Sequence, residues 1–424
     1  MTSTDFDYGS SSFWTWDPPM WRHLRDLRRH APVSWSEKTQ MFILTGFEEV
    51  SWVSKHNETF CSGQGVLPDN PAKLGLIDED EPRHTELRRL INKGFTPRMV
   101  KKIERDFEAI VRESIDAVAE RGACDFVDDI AVPLPLLLIA DMIGVRKEDR
   151  ERFHAWSDAM ILAQGNLDKP GVAERAGQAF GEYATYCGEI LEDRRQNPRD
   201  DLMSILVHAK DTGVLGEHAG ADPTMVRLDE HRRLDKDELI MFCVLLLVAG
   251  NETTRNALSG GMQLLIEHPP ARRRLLEQPE LIPDAVEEML RLTSPVISFV
   301  RTATEDTELA GRKIATGQRV LMVYPSANRD ERVFEDPDTF DIDRKPLHLA
   351  FGIGNHFCLG ANLARMELRV AFRELLRRLP DMEYAAGGPA MAPSALVRSF
   401  AQMDVRFTPE RVAPTPGAQV TARG

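Results

Sequence analysis

The segment from about Lys236 to Glu267 constrains the fold most, because the run Leu239 to Gly250, LIMFCVLLLVAG, is apolar almost without interruption. A helix apolar on every face has no side to turn toward water and belongs inside the protein. The spacing therefore predicts a long helix through the core, stopped by His268-Pro269-Pro270. The apolar run is too short to span a bilayer. At Ala249-Gly250-Asn251-Glu252-Thr253-Thr254 the apolar face gives way to polar residues, so polar chemistry is expected in mid-core.

Helix is expected to dominate the rest of the chain. Apolar residues recur at three- and four-residue spacing from Pro82 to about Gly122 and from Lys147 to about Asn197. A short helix is expected over Trp21 to Arg29, and a strand over Met41 to Thr45 closed by Gly46, placing a small β-rich region near the N-terminus. Two loops, Ser62 to Leu76 and Gly165 to Pro170, are candidate lids. Lys210 to Arg233 reads as a long exposed connection. Residues 1–408 are expected to form one catalytic domain and 409–424 a disordered tail.

The balance of 42% hydrophobic and 28% charged residues suits a large globular core. A formal charge of -14 argues against a surface built to grip nucleic acid. The N-terminus has no basic region followed by an apolar core, so neither a signal peptide nor a membrane anchor is expected. Five cysteines lack C-x-x-C spacing, which fits a reducing cytoplasm and argues against a disulfide framework or zinc site.

Cys358 stands apart from the other four. Phe351-Gly352-Ile353-Gly354-Asn355-His356-Phe357-Cys358-Leu359-Gly360 runs into Ala361 to Glu367, a good helix former, so a loop delivers this cysteine to a helix N-terminus. Unpaired amides and the helix dipole there favour a thiolate, the form that binds metal. Gly354 and Gly360 allow close backbone approach to a flat ligand, Phe351 offers a ring beside the sulfur, and His356 a donor for a carboxylate. A buried structural cysteine is the ordinary alternative for a lone thiol. Five fixed positions, F-x-x-G-x-H-x-C-x-G, argue against it here. A dinucleotide-binding reading of Gly352-Ile353-Gly354 fails because Phe357 occupies the third glycine position.

This loop resembles the haem-binding loop of the cytochromes P-450, and the resemblance extends across most of the chain. Glu288-Met289-Leu290-Arg291 is similar to the family's E-x-x-R, and Phe334 to Arg344 to the meander that brings an arginine, here Arg344, to that pair. His84 and Arg88 match the family's H-x-x-x-R; with Arg301 and His356 the resemblance implies that they hold the haem propionates. Ala249 and Gly250 would lie against the haem, while Glu252 and Thr253 correspond to the acid and alcohol that activate oxygen.

The resemblance thus implies the mainly α, triangular cytochrome P-450 fold, haem b held by Cys358, and insertion of one oxygen atom of dioxygen into a C-H bond. Leu245, Val248, Val296, Ile297, Leu396 and Val397 are the expected substrate pocket, which points to a lipophilic substrate. The wording around Ala249 to Arg255 is most similar to soluble bacterial members acting on steroids, isoprenoids or methyl-branched lipids. Electrons are expected from a ferredoxin and its reductase, docking near Arg89, Lys93, Arg98, Lys101 and Lys102. Two alternatives stay open: a peroxide-driven hydroxylase and an idle haem-binding sensor. Glu252 and Thr253 argue against both.

Overall fold

The structure is a computed structural model and describes residues 6–68, 75–92, 97–163, 166, 169–209 and 236–410. The core helix runs as expected, but in three pieces: α-helix Lys236–Leu245, one wide π turn Leu246–Gly250, and α-helix Asn251–Glu267. The wide turn falls where the apolar face gives way. Thr253 Oγ1 donates to the carbonyl of Ala249 at 2.6 Å, competing with the backbone for that acceptor, a familiar cause of helix distortion. A Cβ at Gly250 would stand 3.0 Å from Ile139 on helix Pro133–Ile143, so the turn also sits close to its neighbour.

Helices Pro133–Ile143, Ile282–Thr293 and Ala361–Arg378 pack directly on the core helix. Helix Pro97–Ala119 packs against two of these, Pro133–Ile143 and Ala361–Arg378. One continuous apolar cluster joins Leu247, Ala257, Leu258 and Leu265 of the core helix to Phe107, Leu290 and Phe372. Each such side chain contributes about 1.5–3 kcal/mol by leaving water. A Cβ at Gly261 would meet Phe372 Cζ at 2.5 Å, so only glycine allows that crossing.

The other expected helices appear with shifted ends. The Pro82 to Gly122 region forms Arg83–Asn92 and Pro97–Ala119; the Lys147 to Asn197 region forms Arg150–Leu162 and Val172–Gln196. The first helix spans Pro18–His30, starting before Trp21 because Asp17 caps it by accepting from the Met20 amide at 2.9 Å.

The small β region is only partly N-terminal. Strands Val33–Ser36 and Met41–Leu44 form a hairpin, but the sheet continues through Arg319–Val323, Ser298–Ala303 and Phe60–Cys61. Met41–Leu44 pairs in parallel with Arg319–Val323, which only a long crossover permits. All four residues of Met41–Leu44 are buried, and a hairpin alone cannot cover both its faces. The polar lead is packed too: Tyr8, Phe13 and Trp14 are buried against this sheet.

At the other end, Glu410 donates its amide to Ala119 and accepts from Arg378 at 2.6 Å, so 409–410 are tied down. The remainder of the expected tail, the Lys210 to Arg233 connection and half of the Gly165 to Pro170 loop lie outside the described residues. Among the described residues, no helix is long and apolar enough to cross a membrane.

Candidate active site

The cysteine loop is shaped by its own backbone. Cys358 donates its amide to Phe351 O at 2.9 Å and Phe357 to Gly354 O at 3.0 Å, and the following helix starts at Ala361. The sulfur accepts from the Gly360 amide. Its open surface faces a cavity, and protein encloses it elsewhere. Burial pushes the thiol up, against the pull of the Gly360 amide, Arg88 and Arg365. Burial here therefore opposes the thiolate that the terminal amide favours.

Gly354 does a different job from the one expected. It has φ +80° and is absent from the cavity wall; a Cβ there would strike the backbone carbonyl of Ser54. It docks the loop onto helix Phe47–Lys55. Gly360 does line the cavity, and beyond its own chain neighbours nothing lies within 4 Å of where its Cβ would be.

The cavity lies between the core helix and the cysteine-loop helix. Leu245, Val248, Ala249, Gly250 and Thr253 come from the first; Gly360, Leu363, Ala364 and Glu367 come from the second or its start. Val296, Leu396, Val397 and Phe351 line it, joined by Val66, Leu67 and Leu76 from the Ser62 to Leu76 region and by Ile77 just after it. Ile297 does not. Its side chain is fully buried with the N-terminal aromatic residues, while its backbone bonds to Leu396 O and Tyr324 N. The chain passes there from the isolated bridge Val296↔Val397 into strand Ser298–Ala303, and adjacent side chains of extended backbone point to opposite faces. The faces exchange as the strand begins: Val300 packs with Ile297 against the N-terminal aromatic residues, and Phe299 and Arg301 line the cavity.

His84, Arg88, Arg301 and His356 meet at one edge of this cavity. The His84 and His356 rings lie 4.1 Å apart between centroids, and Ser62 Oγ is 3.2 Å from His356 Nε2. Burial, then Arg301, His84 and Arg88, lower the His356 pKa to about 3. His84 Nε2 is buried without a hydrogen-bond partner. Arg301 is 7% exposed, and its described hydrogen bond is to the carbonyl of Val300 beside it. Crowded cations and an orphaned imidazole nitrogen are the environment an anion relieves, so these four side chains fit the two carboxylates of a haem. Arg88 meanwhile donates to the carbonyls of Asn355 and Phe357, holding the cysteine loop.

Glu252 and Thr253 part company. Thr253 lines the cavity, whereas Glu252 is 2% exposed and lies off its wall. One Glu252 oxygen accepts from Asn256 Nδ2 at 2.8 Å and Ser399 Oγ at 3.1 Å; the other stands 2.5 Å from Arg255 Nη2. Neighbouring helical residues diverge by about 100°, so only one of this pair can face inward squarely.

Beside the cysteine loop, the E-x-x-R pair forms as expected. Arg291 Nε and Nη2 each lie 2.7 Å from a Glu288 oxygen, Arg344 Nε is 3.2 Å from Glu288 Oε1, and Arg291 also donates to the carbonyls of Asn328, Pro337 and Thr339. A second network is not apparent in the motif reading: Arg365 binds Glu287 through two bonds of 2.7 and 2.8 Å and lies over the Phe351 ring, while His348 approaches Glu287 at 3.3 Å. Burial would raise the Glu287 carboxyl, but His348 and Arg365 bring it down to about 2.

Comparison with known proteins agrees with this geometry. The family model described as Cytochrome P450 matches residues 166–380. A steroid C26-monooxygenase of Mycolicibacterium smegmatis is 36% identical over 411 residues, 96% of this chain and 98% of that protein. A methyl-branched lipid omega-hydroxylase of Mycobacterium tuberculosis is 37% identical over 430 residues, with 95% of each chain covered. The crystal structure of CYP109E1 from Bacillus megaterium in complex with testosterone superposes with a TM-score of 0.81 at 35% identity, covering 91% of this chain and 99% of that one. With relatives matched nearly end to end, a helical fold of the same kind and a cysteine-floored cavity that suits a haem, the chain belongs to the cytochrome P450 family and is a haem b-dependent monooxygenase of lipophilic substrates.

Proposed function

We propose that haem b lies between the core helix and the cysteine-loop helix, with the Cys358 sulfur on iron and His84, Arg88, Arg301 and His356 on the propionates. The observation that carries this reading is one cavity holding the Cys358 sulfur, the Thr253 hydroxyl and that cationic edge. When bound, the haem supplies the iron at which dioxygen is activated and a substrate C-H bond is oxidised. Ala249 and Gly250 present backbone rather than bulk to it. Thr253 Oγ1, anchored on the Ala249 carbonyl, holds a proton at the cavity wall. Glu252 supplies protons from outside that wall, and to do so it must leave Arg255 and Ser399.

The substrate is held chiefly by burial against Leu245, Val248, Val296, Phe299, Leu396 and Val397, with few polar handles. A steroid, terpenoid or branched lipid suits such a wall, in keeping with the relatives named for steroids and methyl-branched lipids. Electrons come from a ferredoxin in a cytoplasmic setting. Arg89 and Lys101 are exposed on neighbouring helices and suit an acidic partner, whereas Lys102 is engaged by Asp200, and Lys93 and the Arg98 side chain lie outside what is described.

Two variants test this. Cys358→Ser should abolish the thiolate-type absorption of the reduced carbon monoxide complex, and an unchanged spectrum overturns the ligand assignment. Thr253→Ala should retain haem and substrate binding yet divert much of the NAD(P)H consumed into hydrogen peroxide. Full coupling in that variant places oxygen activation on another residue.

A further inference from the structure

One ionisable group in the cavity has no part in the chemistry described so far. Gly360, Leu363, Ala364 and Glu367 all line the cavity, and their spacing is one face of a helix. Glu367 is 4% exposed, and its Oε2 has no hydrogen-bond partner among the described residues. Several charged groups on the helices packed around it are engaged elsewhere. On Pro97–Ala119, Glu108 pairs with Arg373 and Asp116 with Arg378. On the core helix Glu252 pairs with Arg255, and on Pro269–Glu277 Arg274 pairs with Asp343. On Ile282–Thr293, Glu287 is held by Arg365 and His348, and Glu288 by Arg291 and Arg344. Its own helix adds Arg369, which is exposed. The other titratable groups of the cavity are His84, Arg88, Arg301, Tyr324, His356 and Cys358. Burial alone raises the Glu367 carboxyl to about 8. An unpaired acid in such a place is held neutral by its surroundings, and it responds to any new charge that shares them.

We propose that Glu367 is a redox-linked acid that takes up a proton when the haem iron is reduced. This rests on the haem occupying the cavity as set out above. Reduction adds one negative charge to a site of low dielectric, which raises the affinity of the Glu367 carboxylate for a proton. Reciprocity requires the protonated carboxyl to favour the reduced state by the same amount. The electron arrives from the redox partner and the proton from water; the one bond formed is O-H on the Glu367 carboxyl. In the slightly alkaline range, where part of this carboxyl is ionised, electron entry thereby stores a proton inside the cavity whose wall carries Thr253.

The test is the reduction potential of the substrate-free haem protein as a function of pH, read spectroelectrochemically in wild type, Glu367→Gln and Glu367→Asp. Wild type should lose potential as pH rises through the slightly alkaline range, approaching one proton taken up per electron. Glu367→Gln should be flat there, and Glu367→Asp should keep a slope with its window displaced. Reduction-induced infrared difference spectra at the alkaline end should gain a protonated-carboxyl C=O band that Glu367→Gln lacks. A flat wild type, or an equal slope in Glu367→Gln, overturns the proposal. If the Gln variant does not fold, the wild-type slope and the carboxyl band still decide it. The thiolate-type absorption of the reduced carbon monoxide complex is recorded alongside: its loss in wild type indicts the Cys358 assignment, whereas its retention with a flat slope indicts Glu367 alone.

Discussion

Two sets of buried charge in this molecule are built on opposite terms. In the first, Arg291 and Glu288 are both completely buried, and every guanidinium nitrogen of Arg291 has a partner, with Arg344 completing the set. In the second, Arg301, His84, His356 and Glu367 are largely buried, yet the set has an orphaned imidazole nitrogen, an orphaned carboxyl oxygen and imidazoles that burial and the nearby arginines keep from charging. A buried charge that closes on its own partners fixes the fold; one left open marks where another molecule must complete it.

The sharpest way to break this comparison is at Arg291. Arg291→Ala leaves Glu288 buried and uncompensated, and should cost about 3–5 kcal/mol of stability, read by chemical denaturation. A loss below about 1 kcal/mol would show that the network is dispensable.

Glu367 provides the next largest effect, with a sign set by its raised pKa. The folded protein binds this proton more tightly than the unfolded chain, so stability is full below about pH 4.5 and is lost as pH rises toward about 8. Glu367→Gln should remove that fall, leaving the variant at most about 3 kcal/mol more stable than wild type at pH 7 and level with it near pH 4. Denaturation midpoints across that range decide it; parallel curves for the two proteins would refute the open-set reading of this carboxyl.

Arg301→Leu should separate the two sets most clearly. Folding stability of the protein without haem should fall by only about 1 kcal/mol, because the Val300 carbonyl alone loses a donor. Haem loss to apomyoglobin should quicken by about ten- to a hundredfold, the value of a charge-assisted hydrogen bond. A destabilisation as large as that of Arg291→Ala would make Arg301 a structural residue after all.

Much of this was legible in the chain. An apolar run with a polar break was enough to place the core helix and its distorted turn, since both follow from local sequence. The cysteine loop and the partnership of Glu288, Arg291 and Arg344 were legible because fixed local spacing carries them. Glu367 left a signal that went unread: counted from Gly360, its spacing sets it on the same helical face as Leu363 and Ala364. Glu287, Arg365 and His348 left none, for they come together only when two helices and a loop meet.

The sequence by itself determined which residue types line the cysteine-bearing cavity and which helix carries the break, because periodicity and motif spacing act within a few turns of chain. Tertiary structure decided which way adjacent residues turn. Glu252 faces Arg255 and Ser399 while Thr253 faces the cavity; Ile297 packs with the N-terminal aromatics while Val296 lines the wall; Gly354 yields space to Ser54 rather than to a ligand. Each of these depends on a neighbour far away in the chain, and the choice of face follows from which surface that neighbour removes from water.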